Sequence, residues 1–228
     1  MNIKKETFYH LLNNLERKSF KDSIFNYESG RKAFLSLGKG NIDEWLETLL
    51  PNTRLILEPK INGISIAIRY INGTLNKAIN ENSLDITKKV NSLRNIPKFI
   101  PFKKRIEIRG VLYKDERKSD TNIKTEFMDT KKTSIKQNEL YFCAFHIFHC
   151  RINQFKSLQE LKKLNFEIPE TEFTNLISDV EIYRQCWKEG KLFTSFPTSG
   201  IVVKINSKKL QKHLEENNLT KHWAYAIN

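Results

Sequence analysis

Hydrophobic and polar residues alternate along several short segments of the chain, the pattern of strands buried on one side. Over residues 64–70 the side chains at even positions are apolar and those at odd positions are small or charged. Asn72 and Gly73 follow, a pair typical of a two-residue hairpin, and they lead into a second strand over 74–79. The same reasoning predicts strands over 54–60, 105–113, 141–150, 200–205 and 223–227.

Helical spacing and capping residues mark the segments between these strands. An amphipathic helix is predicted over 3–18, followed by a polar linker to residue 32. Further helices are predicted from a cap at Asn41 or Asp43 to Leu50, from Asp85 to before Pro97, and from Ser207 to about 217. Ser157 with Glu160 and Ser178 with Glu181 have the capping-box form. The polar segment 114–138 is predicted to be a loop.

The predicted elements indicate one main domain over residues 33–228, preceded by the helix and linker of residues 1–32. A hydrophobic content of 39% supplies enough apolar material for a core. No apolar run reaches the roughly 20 residues that span a bilayer, and the first residues lack a signal peptide, so we expect a cytoplasmic protein without a membrane partner. Three cysteines form no paired framework, so structural disulfides are not expected.

The charge of the chain indicates a polyanionic partner. The formal net charge is +13 and the isoelectric point is near 9.6. Lysines that neutralise phosphates release counterions, which favours nucleic-acid binding. The even scatter of lysine along the chain is equally consistent with a solvated surface.

One lysine stands where a reactive group is expected. Lys60 ends a short apolar strand in Glu58-Pro-Lys60-Ile-Asn62-Gly63. A lysine attacks phosphorus only as the neutral amine, whereas free lysine is mostly protonated at neutral pH. A second cation nearby favours the neutral form, and Lys204 is the candidate for that cation.

Four short motifs follow one another along the chain: Glu58-Pro-Lys60-Ile-Asn62-Gly63, Glu107-Ile-Arg109-Gly110, Gly200-Ile-Val-Val-Lys204 and His222-Trp223-Ala-Tyr-Ala226. In this order, and over residues 33–228, they resemble the adenylation domain of the bacterial NAD-dependent DNA ligases. The resemblance implies an α+β nucleotidyltransferase fold, with two antiparallel sheets flanked by helices and a nucleotide groove between them. It also implies an adenylyltransferase acting in DNA replication or repair.

The resemblance also implies roles for individual residues. Lys60 would form the lysyl-AMP intermediate, Glu58 would contact adenine-side or positioning groups, and Lys204 would hold the α-phosphate. The other nucleotide-binding residues implied are Asn62, Gly63, Arg109, Gly110 and Trp223. NAD is the implied donor, ATP is a possible one, and Mg²⁺ is the implied metal. Nicked DNA is the implied substrate, with a partner protein supplying the missing ligase domains.

The chain departs from the family pattern at four positions. Asn62 stands for an aspartate, Val111 for a glutamate, Ser199 for an acid, and Asn228 for a lysine. These changes leave a second hypothesis open, a catalytically impaired descendant of the domain that binds nucleic acid or nucleotide. An ATP-using relative of the RNA ligases is a third.

A group of metal-ligand residue types lies within the strand predicted at 141–150. In strict alternation, Cys143 and His149 face one side of this strand while His146 and Cys150 face the other. The sequence therefore favours a buried strand here and predicts no protein metal site.

Overall fold

The computed structural model describes residues 37–38, 41–114, 140–148, 151–216 and 223–228, with the main chain alone at residues 215 and 216. In chain order the elements are α1 (Ile42–Glu47), β1 (Leu55–Ile61), β2 (Ile64–Ile71), β3 (Thr74–Asn80), α2 (Thr87–Ser92), β4 (Ile106–Lys114), β5 (Leu140–Ile147), α3 (Gln154–Lys163), β6 (Glu172–Thr174), α4 (Ile177–Lys188), β7 (Thr198–Ile205), α5 (Lys208–Glu216) and β8 (Ala224–Ile227).

These elements form two units, each built on an antiparallel sheet. The first unit holds residues 63–152 and 156–168 of the described chain, with strand order β3-β2-β4-β5. The second holds residues 37–62, 153–155 and 169–228, with strand order β6-β1-β7-β8. The α+β class and the two antiparallel sheets predicted from the sequence are confirmed.

The sheet of the first unit follows the alternation read from the sequence. Asn72 and Gly73 have φ angles of 51° and 81°, as a two-residue hairpin between β2 and β3 requires. The apolar face of β2 is buried, and the ring of its Tyr70 meets Phe166 edge to face at 6.1 Å. Phe142 of β5 meets the same Phe166 ring at 6.1 Å. Aromatic packing from the segment after α3 thus completes this core.

A β-bulge in β5 corrects the face assignment of the metal-ligand residue types. Ala144 pairs with Gly110 and His146 pairs with Arg109, so Phe145 is an extra residue in the ladder. Cys143 and His146 therefore lie on the same face, because their partners on β4 are two residues apart. The strict alternation assumed from the sequence was wrong here. His149 and Cys150 lie outside the described residues.

The second unit builds its core from the inner faces of β1, β7 and β8. Leu55 and Leu57 of β1 belong to this core, and Trp45 of α1 stacks on Tyr225 of β8 with ring centroids 4.6 Å apart. The three-residue strand β6 was not predicted, because three residues are too few to show a period. It pairs with β1 from Leu55 to Leu57.

Both predicted capping boxes were wrong. Ser157 lies inside α3, where its hydroxyl accepts a hydrogen bond from the main-chain nitrogen of Ile147 at 3.3 Å. Asn206 instead accepts from the nitrogen of Phe155 at 3.0 Å. Ser178 likewise lies inside α4, and the hydroxyl of Thr174 accepts from the nitrogen of Leu176, the residue before that helix. The start of α3 is thus satisfied by a partner distant in sequence, whereas the start of α4 is satisfied by Thr174, two residues before Leu176.

The remaining helix predictions stand with shifted bounds. Asn41 caps α1 as predicted, and the helix ends at Glu47 rather than Leu50. Asp85 accepts from the nitrogen of Thr87 at 2.9 Å, although the residue directly before α2 is Ile86. The predicted helix 3–18, the boundary at residue 32 and almost all of the predicted loop 114–138 lie outside the described residues. Of the helices described, none is long and apolar enough to cross a membrane.

A substitution at Gly110 tests how closely β4 and β5 pack. An added Cβ would lie 2.3 Å from the main-chain oxygen of Cys143 and 2.4 Å from the ring of Phe142. We expect Gly110→Ala to lower the free energy of unfolding by about 3 kcal/mol, since backbone must shift to admit the methyl group. Urea denaturation measures this.

Gly190→Ala is the control for that experiment. Gly190 has a φ of +67° and no atom within 4 Å of an added Cβ, so only backbone strain of roughly 1 to 2 kcal/mol is expected. A smaller loss of stability at Gly110 than at Gly190 would contradict the packing described.

Candidate active site

The second unit presents one polar face on β1. Glu58 and Lys60 are two residues apart and therefore lie on the same side of the strand, opposite to Leu57 and its core contacts. The ladder places Val202 of β7 beside Glu58, and Ala226 of β8 beside Val202. In the next row, Lys204 lies beside Ile56. Charged groups thus flank a strip of small apolar residues.

A buried ion pair ties β1 to β7 on this face. The Nζ atom of Lys204 lies 2.5 Å from Oε2 of Glu58, and the two residues are only 5% and 2% exposed. Gln154 donates from Nε2 to the other carboxylate oxygen of Glu58 at 2.9 Å. The carboxylate thus has a donor on each oxygen, as a buried charge requires.

Lys60 forms a side-chain hydrogen bond at the other end of this face. Its Nζ atom donates to Oδ1 of Asn228 at 2.9 Å. The Lys204 amine, expected to act on Lys60 as a second cation, lies instead against Glu58, whose negative charge offsets it. The prediction that Lys204 supplies an unbalanced positive charge beside Lys60 therefore lacks support in the structure.

The sequence did not predict that Asn228 contacts Lys60. The sequence marked this position only as the loss of a lysine. The contact spans 168 positions along the chain, so no local pattern could have predicted it. The signal that could have drawn attention to it is its place at the end of the last motif, directly after Ile227.

Asn62 and Gly63 lie where the chain passes from β1 to β2. Asn62 is exposed, and its main-chain nitrogen donates to the oxygen of Pro197 at 2.7 Å. A Cβ on Gly63 would lie 2.1 Å from the main-chain oxygen of Leu112 and 2.5 Å from Cγ1 of Val111. Close backbone packing within the first unit therefore explains this glycine without a ligand.

The two predicted residues of β4 lie in the first unit. Arg109 is 3% exposed, and its Nε and Nη2 atoms each lie 2.9 Å from Oε1 of Glu107. Its guanidinium also lies 3.8 Å from the centre of the Phe148 ring, a cation–π contact. Gly110 is required by the approach of β5. Val111 is half-buried on the same face as Arg109.

Trp223 belongs to the buried core cluster of the second unit and is 5% exposed. Its main-chain oxygen accepts from the nitrogen of Ile205 at 2.9 Å, next to the β7–β8 ladder.

Ser199 lies in β7 and is half-buried. Across the described residues, no three His, Cys, Asp or Glu side chains are grouped closely enough to hold a metal ion.

The fold has a counterpart among solved structures. The structure named Pmar-Lig_Pre matches with a TM-score of 0.51 and 10% sequence identity, over 82% of this chain and 44% of that one. At that identity the likeness concerns the fold alone. It confirms the predicted class, a ligase-type nucleotidyltransferase fold.

The sequence comparisons point to one family within that class. Residues 38–138 match the model of the NAD-dependent DNA ligase adenylation domain. The chain is 25% identical to the DNA ligase of Metamycoplasma arthritidis over 238 aligned positions, which cover 90% of this chain. It is 26% identical to that of Fervidobacterium nodosum over 214 positions, covering 82% of this chain. The predicted resemblance to the adenylation domain of these enzymes is confirmed.

The match extends over only part of those enzymes. The chain covers 36% of the Metamycoplasma protein and 31% of the Fervidobacterium protein, about a third of their length. The activity of a whole ligase is therefore not carried over by the match itself.

A double-mutant cycle tests the buried pair. Glu58→Gln and Lys204→Met should each lower the free energy of unfolding by about 3 to 5 kcal/mol, because each leaves one buried charge unpaired. The double variant should lose much less than the sum of the two single losses, as urea denaturation would show.

The pair Glu160 and Lys163 is the matched control. These side chains lie 2.6 Å apart on α3, but Lys163 is 61% exposed. The equivalent Gln and Met substitutions should change stability by less than about 1 kcal/mol. Equal effects at the two pairs would contradict the description of the Glu58–Lys204 pair as buried and isolated from solvent.

Proposed function

We propose that the chain transfers AMP from NAD to the amine of Lys60, the first step by which a ligase activates a nick in DNA. The observation that carries this proposal is the position of Lys60. Its amine lies at the accessible end of a polar strand face whose other end is fixed by the Glu58–Lys204 pair. A nucleophile needs both a fixed backbone and an approach for its substrate.

The covalent step is a displacement at phosphorus. The neutral Lys60 amine uses its lone pair to form a nitrogen–phosphorus bond with the α-phosphate of the dinucleotide. The bond from that phosphorus to the bridging oxygen breaks, and nicotinamide mononucleotide leaves with the electron pair. The amine then releases one proton to water, which leaves a lysyl-AMP phosphoramidate.

The strip of small residues beside Glu58 is the surface we propose for the nucleoside. Val202 and Ala226 lie side by side on β7 and β8, and Ala224 lies beside Lys204 in the next row. Their side chains are short and apolar, a kind of surface against which the flat base of a nucleotide packs. Polar groups at both ends would fix its orientation.

The charged residues have proposed roles that follow from their positions. Glu58 and Lys60 are two residues apart, so their Cα atoms are separated by about 7 Å along β1. Lys204 beside Glu58 is proposed to act on the α-phosphate, and Glu58 on the adenine side. The assignment of Arg109 and Gly110 to ribose binding stays a prediction. The burial of Trp223 favours a supporting role for it, holding β8 in place.

We propose that Mg²⁺ takes part only as an ion that binds together with the nucleotide. Ser199 stands where the family has an acid, and hydroxyl groups are weaker ligands for Mg²⁺ than carboxylates. Mg²⁺ in nucleotide sites commonly retains water and binds mainly to the phosphates. When bound there, it would neutralise phosphate charge; no residue of this chain is assigned to it.

The nucleic-acid partner we propose is nicked DNA. The net charge of +13 favours binding to a phosphate backbone. In the second unit, Lys208 and Lys209 lie in the first turn of α5, and Lys209 is exposed. The partner protein with further ligase domains that the sequence predicts stays a prediction. The cytoplasmic location expected from the sequence stays a prediction.

The four replaced residues favour one alternative function, a descendant that binds nucleotide or nucleic acid without chemistry. Asn62 and Val111 carry no negative charge where the family has acids, and Asn62 is exposed at the end of β1. Valine cannot accept a hydrogen bond from a ribose hydroxyl. The two functions differ in whether AMP becomes covalently attached.

Intact-mass spectrometry decides between them. The protein is incubated with Mg²⁺ and either NAD or ATP, and we expect a mass gain of one AMP with NAD. Lys60→Ala should abolish the gain, because the acceptor amine is removed. Lys162→Ala, which removes an exposed lysine on α3, should leave it unchanged.

A gain that persists in Lys60→Ala would contradict the assignment of the nucleophile. A gain with ATP alone would assign the chain to the ATP-using class. If neither nucleotide adds mass to the folded protein, the binding function replaces the enzymatic one.

Restoring the replaced acids gives a second test. Asn62→Asp together with Val111→Glu should raise the rate of AMP attachment at least tenfold, because a carboxylate accepts a stronger hydrogen bond than an amide and a valine accepts none. The matched control is Asn91→Asp, a substitution at an exposed position of α2. No difference between the restored variant and this control would contradict the view that the missing acids limit the reaction.

A further inference from the structure

We propose that Asn228 is a positioning residue for the Lys60 nucleophile, taking over in this chain the place where the family has a lysine. The inference rests on the proposed function for its consequence in catalysis. The contact itself is tested independently of any activity.

The contact has the geometry of a directed hydrogen bond. Nζ of Lys60 lies 2.9 Å from Oδ1 of Asn228, within the normal range for a nitrogen donor and an oxygen acceptor. Both residues lie in the second unit, and Asn228 directly follows β8. The two side chains therefore approach each other above β7, the strand between β1 and β8.

Three features hold Asn228 in this place. Ile227 pairs with Ile201 at the end of the β7–β8 ladder. Nε of Arg184, on α4, donates to the main-chain oxygen of Asn228 at 2.8 Å. Gly200 leaves room for the approach, since a Cβ there would lie 2.1 Å from the main-chain oxygen of Ile227 and 2.8 Å from Oδ1 of Asn228.

Gly200 therefore has a reason to be glycine that the sequence motif alone did not supply. Its φ of +147° lies in a region that other residues rarely adopt. The same residue lets β7 pass close beneath the Asn228 side chain. A helix, a strand end and a glycine thus converge on the placement of one amide.

An amide oxygen can orient an amine without fixing its protonation state. A lysine amine has N–H donors both when charged and when neutral, and Oδ1 of Asn228 accepts from either form. With one N–H directed to Asn228, the lone pair of the neutral amine is directed away from it. A lysine at this position would instead place a second cation beside Lys60, and an aspartate would place an anion there.

Because asparagine, aspartate and lysine differ in charge, substitutions at position 228 test the contact with Lys60. The protein is labelled briefly with a small amine-acylating reagent over a range of pH, and the labelling rate of Lys60 is read from its peptide by mass spectrometry. Lys162, which is exposed on α3, is the internal reference. Acylation requires the neutral amine, so the rate reports the fraction of Lys60 in that form.

Two substitutions of opposite charge are expected to move the Lys60 profile in opposite directions. Asn228→Asp should move it to higher pH, because a carboxylate within hydrogen-bond distance favours the charged amine. Asn228→Lys should move it to lower pH, because a second cation disfavours it. A displacement on the order of one pH unit, or about tenfold in rate near neutral pH, is expected for each. The Lys162 profile should not move.

Asn91→Asp, a distant exposed position on α2, controls for a change in net charge. If Lys60 responds to Asn91→Asp as it does to Asn228→Asp, or responds to neither Asn228 variant, the positioning role is overturned. Because Asn228 is exposed, these variants should fold, which circular dichroism verifies.

A catalytic consequence is measured separately. Asn228→Ala should lower the maximal rate of AMP attachment while leaving the NAD concentration for half-maximal rate within about twofold, since the contact orients the amine rather than the substrate. An unchanged maximal rate would overturn the role in catalysis. If the wild-type protein attaches no AMP, the proposed function fails, whereas the labelling profiles still decide the contact.

Discussion

The ion pair between Glu58 and Lys204 is the constraint on which the candidate site depends. Removing each ion from water costs several kcal/mol, so a buried pair persists only where both charges have good partners. Here Gln154 completes the hydrogen bonding of the carboxylate. The pair joins β1 to Lys204, the next-to-last residue of β7, and a shift of either strand by one residue would turn one of the two charges toward the apolar core. Strand register is thereby specified by charge.

Fixed register has a direct consequence for Lys60, the proposed nucleophile. Lys60 follows Glu58 by two residues, so the pair determines on which face and at what height along β1 the Lys60 amine emerges. The opposite end of the same face is set by β8, which ends beside Asn228. One end of this face is thus buried, whereas at the other end Lys60 is half-buried and Asn228 is exposed. This division suits a reaction in which the backbone must stay still while the substrate enters.

Much of the fold could be predicted because strand alternation is a local property. The bounds of β2 and β3, and the turn at Asn72 and Gly73, follow directly from neighbouring residues. Predictions failed where a distant partner decided the outcome. Ser157 is a helix-interior residue because Asn206, far along the chain, caps α3. The bulge at Phe145 is a feature of the ladder with β4 and leaves no mark in the pattern of β5 alone.

The candidate site shows the same limit. Motif order identified Lys60, Glu58 and Lys204, but it could not predict that the last two neutralise each other. It marked Asn228 as a loss because the pattern compares residue types, whereas the contact with Lys60 depends on where β8 ends. Gly63 and Gly110 were assigned to nucleotide binding, yet the backbone around them already requires glycine. Sequence motifs thus proposed the candidate residues, whereas the structure shows what each of them contacts.

In the function we propose, an adenine nucleotide lies on the strip formed by Val202 and Ala224 with Ala226, beside the Glu58–Lys204 pair. Titration of ¹⁵N-labelled protein with AMP tests this placement, because AMP binds without transferring a nucleotide to Lys60. We expect the amide signals of Val202, Ala224 and Ala226 to shift in a saturable manner, whereas those of α5 do not. Saturable shifts confined to other elements, or none at millimolar AMP, would contradict it.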